Sequence, residues 1–79
     1  SVPNFSRQFL KELHITPSQF VERARVDAAR SMLESSATPL KTIAYACGFV
    51  DSERMRRAFV RCIGVTPQQY RNTFNPVNA

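Results

Sequence analysis

Four arginines, Arg54, Arg56, Arg57 and Arg61, fall within eight residues of the stretch Asp51–Ile63, DSERMRRAFVRCI. A guanidinium is a planar fork of N–H donors that matches guanine O6 and N7 and grips phosphate equally well. Glu53, at the start of the same stretch, could accept from the amino group of cytosine. A dipole contact in a first helical turn explains that carboxylate just as well. Positioning such groups takes a rigid element, and the apolar residues supply one. Met55, Ala58, Phe59, Cys62 and Ile63 recur at helical spacing and predict one apolar stripe. Glu53, Arg57, Val60 and Arg61 point away from it. Upstream, Leu40–Cys47 predicts a short apolar helix, capped by Thr38-Pro39 and ended by Gly48. A short helix, a glycine at the turn and an arginine-studded second helix make the pattern of a helix-turn-helix.

The remaining chain supplies a spacer and a second copy. Thr16 reads as the N-cap of a long helix, residues 17–34, with Pro17 in its first turn and Gln19 at the capping-box position. Phe20, Val21, Ala24, Ala28, Ala29, Met32 and Leu33 predict a broad buried face on it. Arg23/Asp27 and Arg30/Glu34 predict i,i+4 ion pairs. Before it, Phe5, Phe9, Leu10 and Leu13 trace another helical stripe, with Ser6, Arg7 and Lys11 off it. Residues fifty apart then correspond without a gap: Arg7 with Arg57, Phe9 with Phe59, Thr16-Pro17 with Thr66-Pro67, Gln19 with Gln69 and Phe20 with Tyr70. This is an internal repeat. His14 takes the place of Gly64 after a helix end, where a left-handed residue is expected. The counterpart of helix 40–47 would lie before residue 1, so the first unit is expected to lack its first helix here.

The expected fold is all-α. Residues 1–16 hold the remainder of the first helix-turn-helix, 17–35 the linker helix, and 38–79 the second unit with a C-terminal helix. A linker of roughly 27 Å suits two helices reading major-groove faces one DNA turn, ~34 Å, apart.

Composition narrows the function. Eleven Lys/Arg against six Asp/Glu give 79 residues a net charge of +5, which suggests a polyanionic partner, most often nucleic acid. Two cysteines and one histidine are too few for a four-ligand zinc site. Cys47 and Cys62 are expected as reduced core residues. No enzyme signature occurs (no G-x-S-x-G, H-E-x-x-H or phosphate-cradling glycine loop), and no cofactor is expected. No apolar run reaches the ~20 residues of a membrane span, which fits a cytoplasmic protein.

Ser6, Arg7, Glu53, Arg56 and Arg57 are therefore the candidates for base edges. Lys11, Lys41, Ser52, Arg54 and Arg61 are the candidates for phosphates, which position without specifying. Double-stranded DNA is the partner this arrangement favours. A helical protein-interaction domain, or an RNA-binding one, is the alternative. The phenylalanines and Tyr45 are read as core rather than as base-stacking platforms.

A linked set of residues resembles the DNA-binding domain of AraC-type (AraC/XylS) bacterial transcription regulators. It comprises Arg25-Val-Asp-Ala-Ala-Arg30, Leu33-Glu34, Leu40, Ile43-Ala44, Cys47-Gly48-Phe49, Arg57-Ala-Phe59, Gly64-Val-Thr-Pro67, Tyr70-Arg71 and Phe74. The resemblance covers essentially the whole chain. It implies two helix-turn-helix units with recognition helices in adjacent major grooves, at promoters near RNA polymerase. Effector and dimerisation functions are then expected in another domain. Pro3 departs from the family by standing where a side chain often reaches the DNA.

Overall fold

The computed structural model describes residues 11–75. Residues 11–13 are helical and end at a turn on His14. Four helices follow among the described residues: α1 (Pro17–Ser35), α2 (Leu40–Ala46), α3 (Ser52–Ile63) and α4 (Pro67–Phe74). No strand occurs among them. Ser6 and Arg7, with the first recognition helix they were assigned to, lie outside the described residues.

The repeat is visible in the cap geometry. Thr16 Oγ1 accepts from the Gln19 N–H at 3.1 Å while the Gln19 side chain accepts from the Thr16 N–H at 2.8 Å. Fifty residues on, Thr66 and Gln69 repeat these bonds at 3.1 and 2.9 Å. Each box satisfies two of the donors that a helix start leaves unpaired. The turns before the two caps match as well. His14 stands at φ +61° and Gly64 at φ +79°, and His14 is the one non-glycine with positive φ among the described residues.

α1 packs against all three later helices. Its Val26, Ala29 and Leu33 join Ile43 and Ala44 of α2, Phe49 of the turn, Met55, Ala58 and Phe59 of α3, and Tyr70 of α4 in one core. Tyr70 meets Phe59 edge-on, ring centroids 6.2 Å apart. This side of α1 is narrower than the sequence suggested, and Val26, absent from the expected face, is part of it. Phe20, Val21, Ala24 and Ala28 are exposed. At 100° per residue they form a second apolar stripe, turned away from the one that α2–α4 cover. Three more apolar assignments need correcting. Tyr45 is 82% exposed, since α2 turns Ile43 and Ala44 inward and leaves the next position outside. Phe74 and Ile63 sit at the exposed ends of their helices. Both cysteines are free thiols, half-buried rather than within the core.

The charge pairs of α1 also sort differently. Asp27 binds Arg30 at 3.2 Å, and Glu34 accepts from the Tyr70 hydroxyl. Arg30 donates to the same hydroxyl at 3.1 Å, with its guanidinium 5.5 Å from the ring centre. Tyr70, reaching across from α4, displaces the i,i+4 partner that α1 alone would offer. Thr38 is no side-chain cap either: Pro39 is the N-cap of α2 and makes no such bond. The Thr38 carbonyl instead accepts from buried Arg71 at 2.5 Å. The Asn75 amide donates to the carbonyls of Leu33 and Ser36, and so satisfies groups that the end of α1 leaves free. Arg71 of α4 and its C-cap Asn75 thus fix where α1 stops and α2 starts.

Candidate nucleic-acid interface

The face that carries the arginines is built by α2, the turn after it and α3. α2 ends where the Cys47 N–H donates to Ile43 O, and Gly48 follows at φ +91°. The Phe49 N–H then donates back to Ala44 O at 2.8 Å while its ring enters the core, which locks the turn. α3 starts at Asp51, whose carboxylate accepts from the Arg54 N–H at 2.8 Å. Acidic Glu53 in its first turn and basic Arg61 in its last both suit the helix dipole. Left-handed Gly64 closes it, donating to Phe59 O and Val60 O.

With Met55, Ala58 and Phe59 buried, the opposite side of α3 faces outward. It carries Ser52, Glu53, Arg54, Arg56, Arg57 and Arg61, all exposed. All the expected α3 residues are therefore exposed, with Arg54, Arg57 and Arg61 on the flank toward α1 and Ser52, Glu53 and Arg56 on the flank toward the starts of α2 and α4. Lys41 is exposed on α2, and Lys11 is exposed in the helical residues before His14.

The side chains on this surface are organised by two carboxylates. Glu53 accepts a two-pronged bond from Arg56, at 2.9 and 2.6 Å, and a third from Arg57 at 3.3 Å. The Arg56 guanidinium, then Arg57, holds the Glu53 carboxyl down from the ordinary 4.5 to about 2. It is ionised throughout the neutral range. Glu22 of α1 takes Arg61 by another two-pronged bond, at 2.7 and 3.2 Å. That bond outweighs the desolvation of Glu22 and holds its carboxyl below the ordinary range. Arg54 lies 3.9 Å from Asp51.

Glu22 and Arg25 were not among the expected site residues. The sequence did hold a signal for them. On a helical wheel they fall beside Ala29 and Leu33, the stripe that faces the second unit, and two charges there call for a partner. Arg25 lies against the turn: a Cβ on Gly48 would come within 3.0 Å of its Nε. Among the described residues no group of three His, Cys, Asp or Glu could hold a metal. No helix among them is long and apolar enough to cross a membrane.

A short helix, a glycine turn and an exposed basic helix over a shared core define a helix-turn-helix domain. The family described as "Helix-turn-helix domain" matches residues 1–73, and the chain belongs to that family, in its AraC/XylS branch. It is 44% identical over 71 residues to the HTH-type transcriptional regulator Rv1931c of Mycobacterium tuberculosis, covering 90% of this chain and 27% of that protein. It is 32% identical over 71 residues to the HTH-type transcriptional activator RhaS of Escherichia coli O139:H28, covering 90% of this chain and 26% of that one. The chain thus spans about a quarter of the length of these relatives. Among solved structures it resembles the DNA-binding domain of AdpA, a global transcriptional factor crystallised with a target DNA. There the TM-score is 0.78 at 31% identity, over 94% of this chain and 67% of that one. The all-α reading with two helix-turn-helix units stands.

Proposed function

We propose that the protein is the sequence-specific, double-stranded-DNA-binding part of a bacterial transcription regulator, with α3 seated in a major groove. The observation that carries this is the outward side of α3. Its backbone is fixed by the Asp51 cap, the Gly64 cap and the core beneath, while Glu53, Arg56 and Arg57 stand exposed at its N-terminal half. A recognition helix reads bases with that half. Arg57 and Arg56 are the donors for guanine edges. Glu53 holds both forks on its carboxylate in the free protein and can accept from cytosine once an arginine turns to a base. Ser52, Arg54, Arg61 and Lys41 are the groups for phosphates along the groove; in the first unit Lys11 takes that role, and Ser6 and Arg7 are the candidates for base edges. Residues 1–16, 17–35 and 38–79 would act as first reading unit, spacer and second reading unit.

Support comes from the DNA in the AdpA complex and from the regulators among the relatives. Control of transcription next to RNA polymerase in the cytoplasm, with effector and dimerisation functions in another domain, belongs to the same proposal. One observation keeps RNA as the second reading, because Tyr45 is exposed and an exposed aromatic can stack on an unpaired base. The test is Arg57→Ala in duplex titrations against a selected site and its single-base variants. A loss of about 1–3 kcal/mol on the selected site, with discrimination relaxed at one or two base pairs, is expected. Equal loss on every sequence would reduce Arg57 to a phosphate contact.

A further inference from the structure

Where α1 passes the turn between α2 and α3, the two sides enclose an open cleft of about 330 Å³. Arg25 enters it from α1, and Arg54, Arg57 and Arg61 enter it from α3. The last three fall at i, i+3 and i+7, one edge of the helix. Among the described residues Glu22 is the one carboxylate in the lining; it takes the fork of Arg61 and also accepts from the Cys62 thiol at 3.5 Å. Among the described residues Arg25 has no hydrogen bond or ion pair. The bare α-carbon of Gly48 leaves room for the Nε and Cδ of Arg25 to lie over the turn. The result is a cleft lined by four guanidinium forks beside the helix that would occupy the groove: Arg57 and Arg61 are paired to Glu53 and Glu22, Arg54 lies 3.9 Å from Asp51, and Arg25 is left over.

We propose that this cleft is a phosphate site to which the linker helix contributes, and that Glu22 is its internal competitor. Arg25, Arg54 and Arg61 grip backbone phosphates on one flank of the groove read by α3. Glu22 holds the fork of Arg61 until a phosphate replaces it. A carboxylate and a phosphate each offer two oxygens to the same fork, so the exchange needs no new geometry at Arg61. This rests on α3 reading duplex DNA and adds α1 to the surface that holds it.

The consequences follow from counterion release. Each phosphate neutralised contributes about 0.9 to the slope of log affinity against log salt, or roughly eightfold in affinity at 0.1 M salt. Arg25→Met keeps the stem and removes the fork. It should weaken binding to every duplex alike by up to that factor and make the slope shallower by about 0.9. Glu22→Gln frees Arg61 and removes a repelling charge. It should tighten binding to all duplexes and steepen the slope.

The experiment is a fluorescence-anisotropy titration of the full chain and both variants with two unrelated duplexes across a salt series. Thermal melting of each variant runs alongside. If Arg25→Met fails to fold, the sign of the Glu22→Gln effect decides. Unchanged affinity and slope in Arg25→Met, loss on one duplex only, or weaker binding by Glu22→Gln would each overturn the proposal. A parent that responds to Arg57→Ala while both cleft variants match it would overturn this inference and leave the DNA-reading role standing. A parent with no duplex binding would overturn both.

Discussion

Alanine at Gly64 and, in a separate variant, at Gly48 separates backbone strain from side-chain crowding. Both glycines have positive φ, +79° and +91°. A Cβ at Gly64 would meet nothing within 4 Å, so its variant reports backbone conformation alone. A left-handed alanine costs about 1–2 kcal/mol. The lower entropy of its unfolded chain returns about 0.4–1 kcal/mol, which leaves a net loss of roughly 1 kcal/mol. For a domain of this size that lowers Tm by roughly 4–8 °C. The Gly48 variant carries the same strain and also sets a Cβ 3.0 Å from Arg25 Nε, 3.4 Å from its Cδ. A flexible side chain yields at little cost, so the two melting temperatures should fall by similar amounts. Binding should not follow suit. Gly48→Ala displaces Arg25 and should weaken duplex binding, by at most the roughly eightfold contribution of one phosphate contact, while Gly64→Ala should not. Melting followed by circular dichroism, with duplex titration of the same samples, reads both quantities. Gly64→Ala as stable as the parent would refute the left-handed cap on α3. Equal binding by the two variants would refute the placement of Arg25 over the turn.

Other perturbations address the core, a buried charge and the acid range. Phe59 is fully buried and meets Tyr70, so Phe59→Ala should cost about 3–5 kcal/mol in urea unfolding; stability equal to the parent would remove Phe59 from the core. Arg71→Met leaves the Thr38 carbonyl without its donor, while Ser36 keeps the Asn75 amide, and should cost about 1–3 kcal/mol by the same assay; an unchanged midpoint would mean the Thr38 carbonyl finds water instead. Glu53 is depressed to about 2, so its pairing with Arg56 and Arg57 contributes in full above the ordinary 4.5 and is lost as pH falls through about 2. Melting between pH 7 and 2 should therefore show a decline below pH 4.5 that is smaller in Glu53→Gln. Glu22, whose carboxyl Arg61 also holds below the ordinary range, is present in both proteins and cancels in the comparison. Identical profiles would contradict the pairing.

Local chemistry was legible in the sequence, and contacts between distant residues were not. Thr16/Gln19, Thr66/Gln69, His14 and Gly64 act within one turn of chain, and their types alone specify the caps and the left-handed positions. The outward side of α3 followed from its own periodicity. The burial of α1 did not, because the helix carries two apolar stripes and only the packing of α2–α4 selects Val26, Ala29 and Leu33. Tyr45 was read as core for its ring, but at 100° per residue it falls opposite the stripe of Leu40, Ile43 and Cys47, and it is exposed. The pairing of Arg61 with Glu22 spans 39 residues, and that of Tyr70 with Glu34 spans 36, beyond any local rule. Arg61 could be placed among the phosphate candidates from its helix face, while the carboxylate that holds it could not.

The most direct test of the central claim is a salt-series titration of the protein into labelled duplex DNA and, in parallel, into single-stranded RNA of the same length. Tighter binding to duplex, with a steep salt slope and a loss in Arg57→Ala, is the result expected of a groove-reading α3. Preference for the RNA, or duplex binding indifferent to both salt and Arg57, would contradict it.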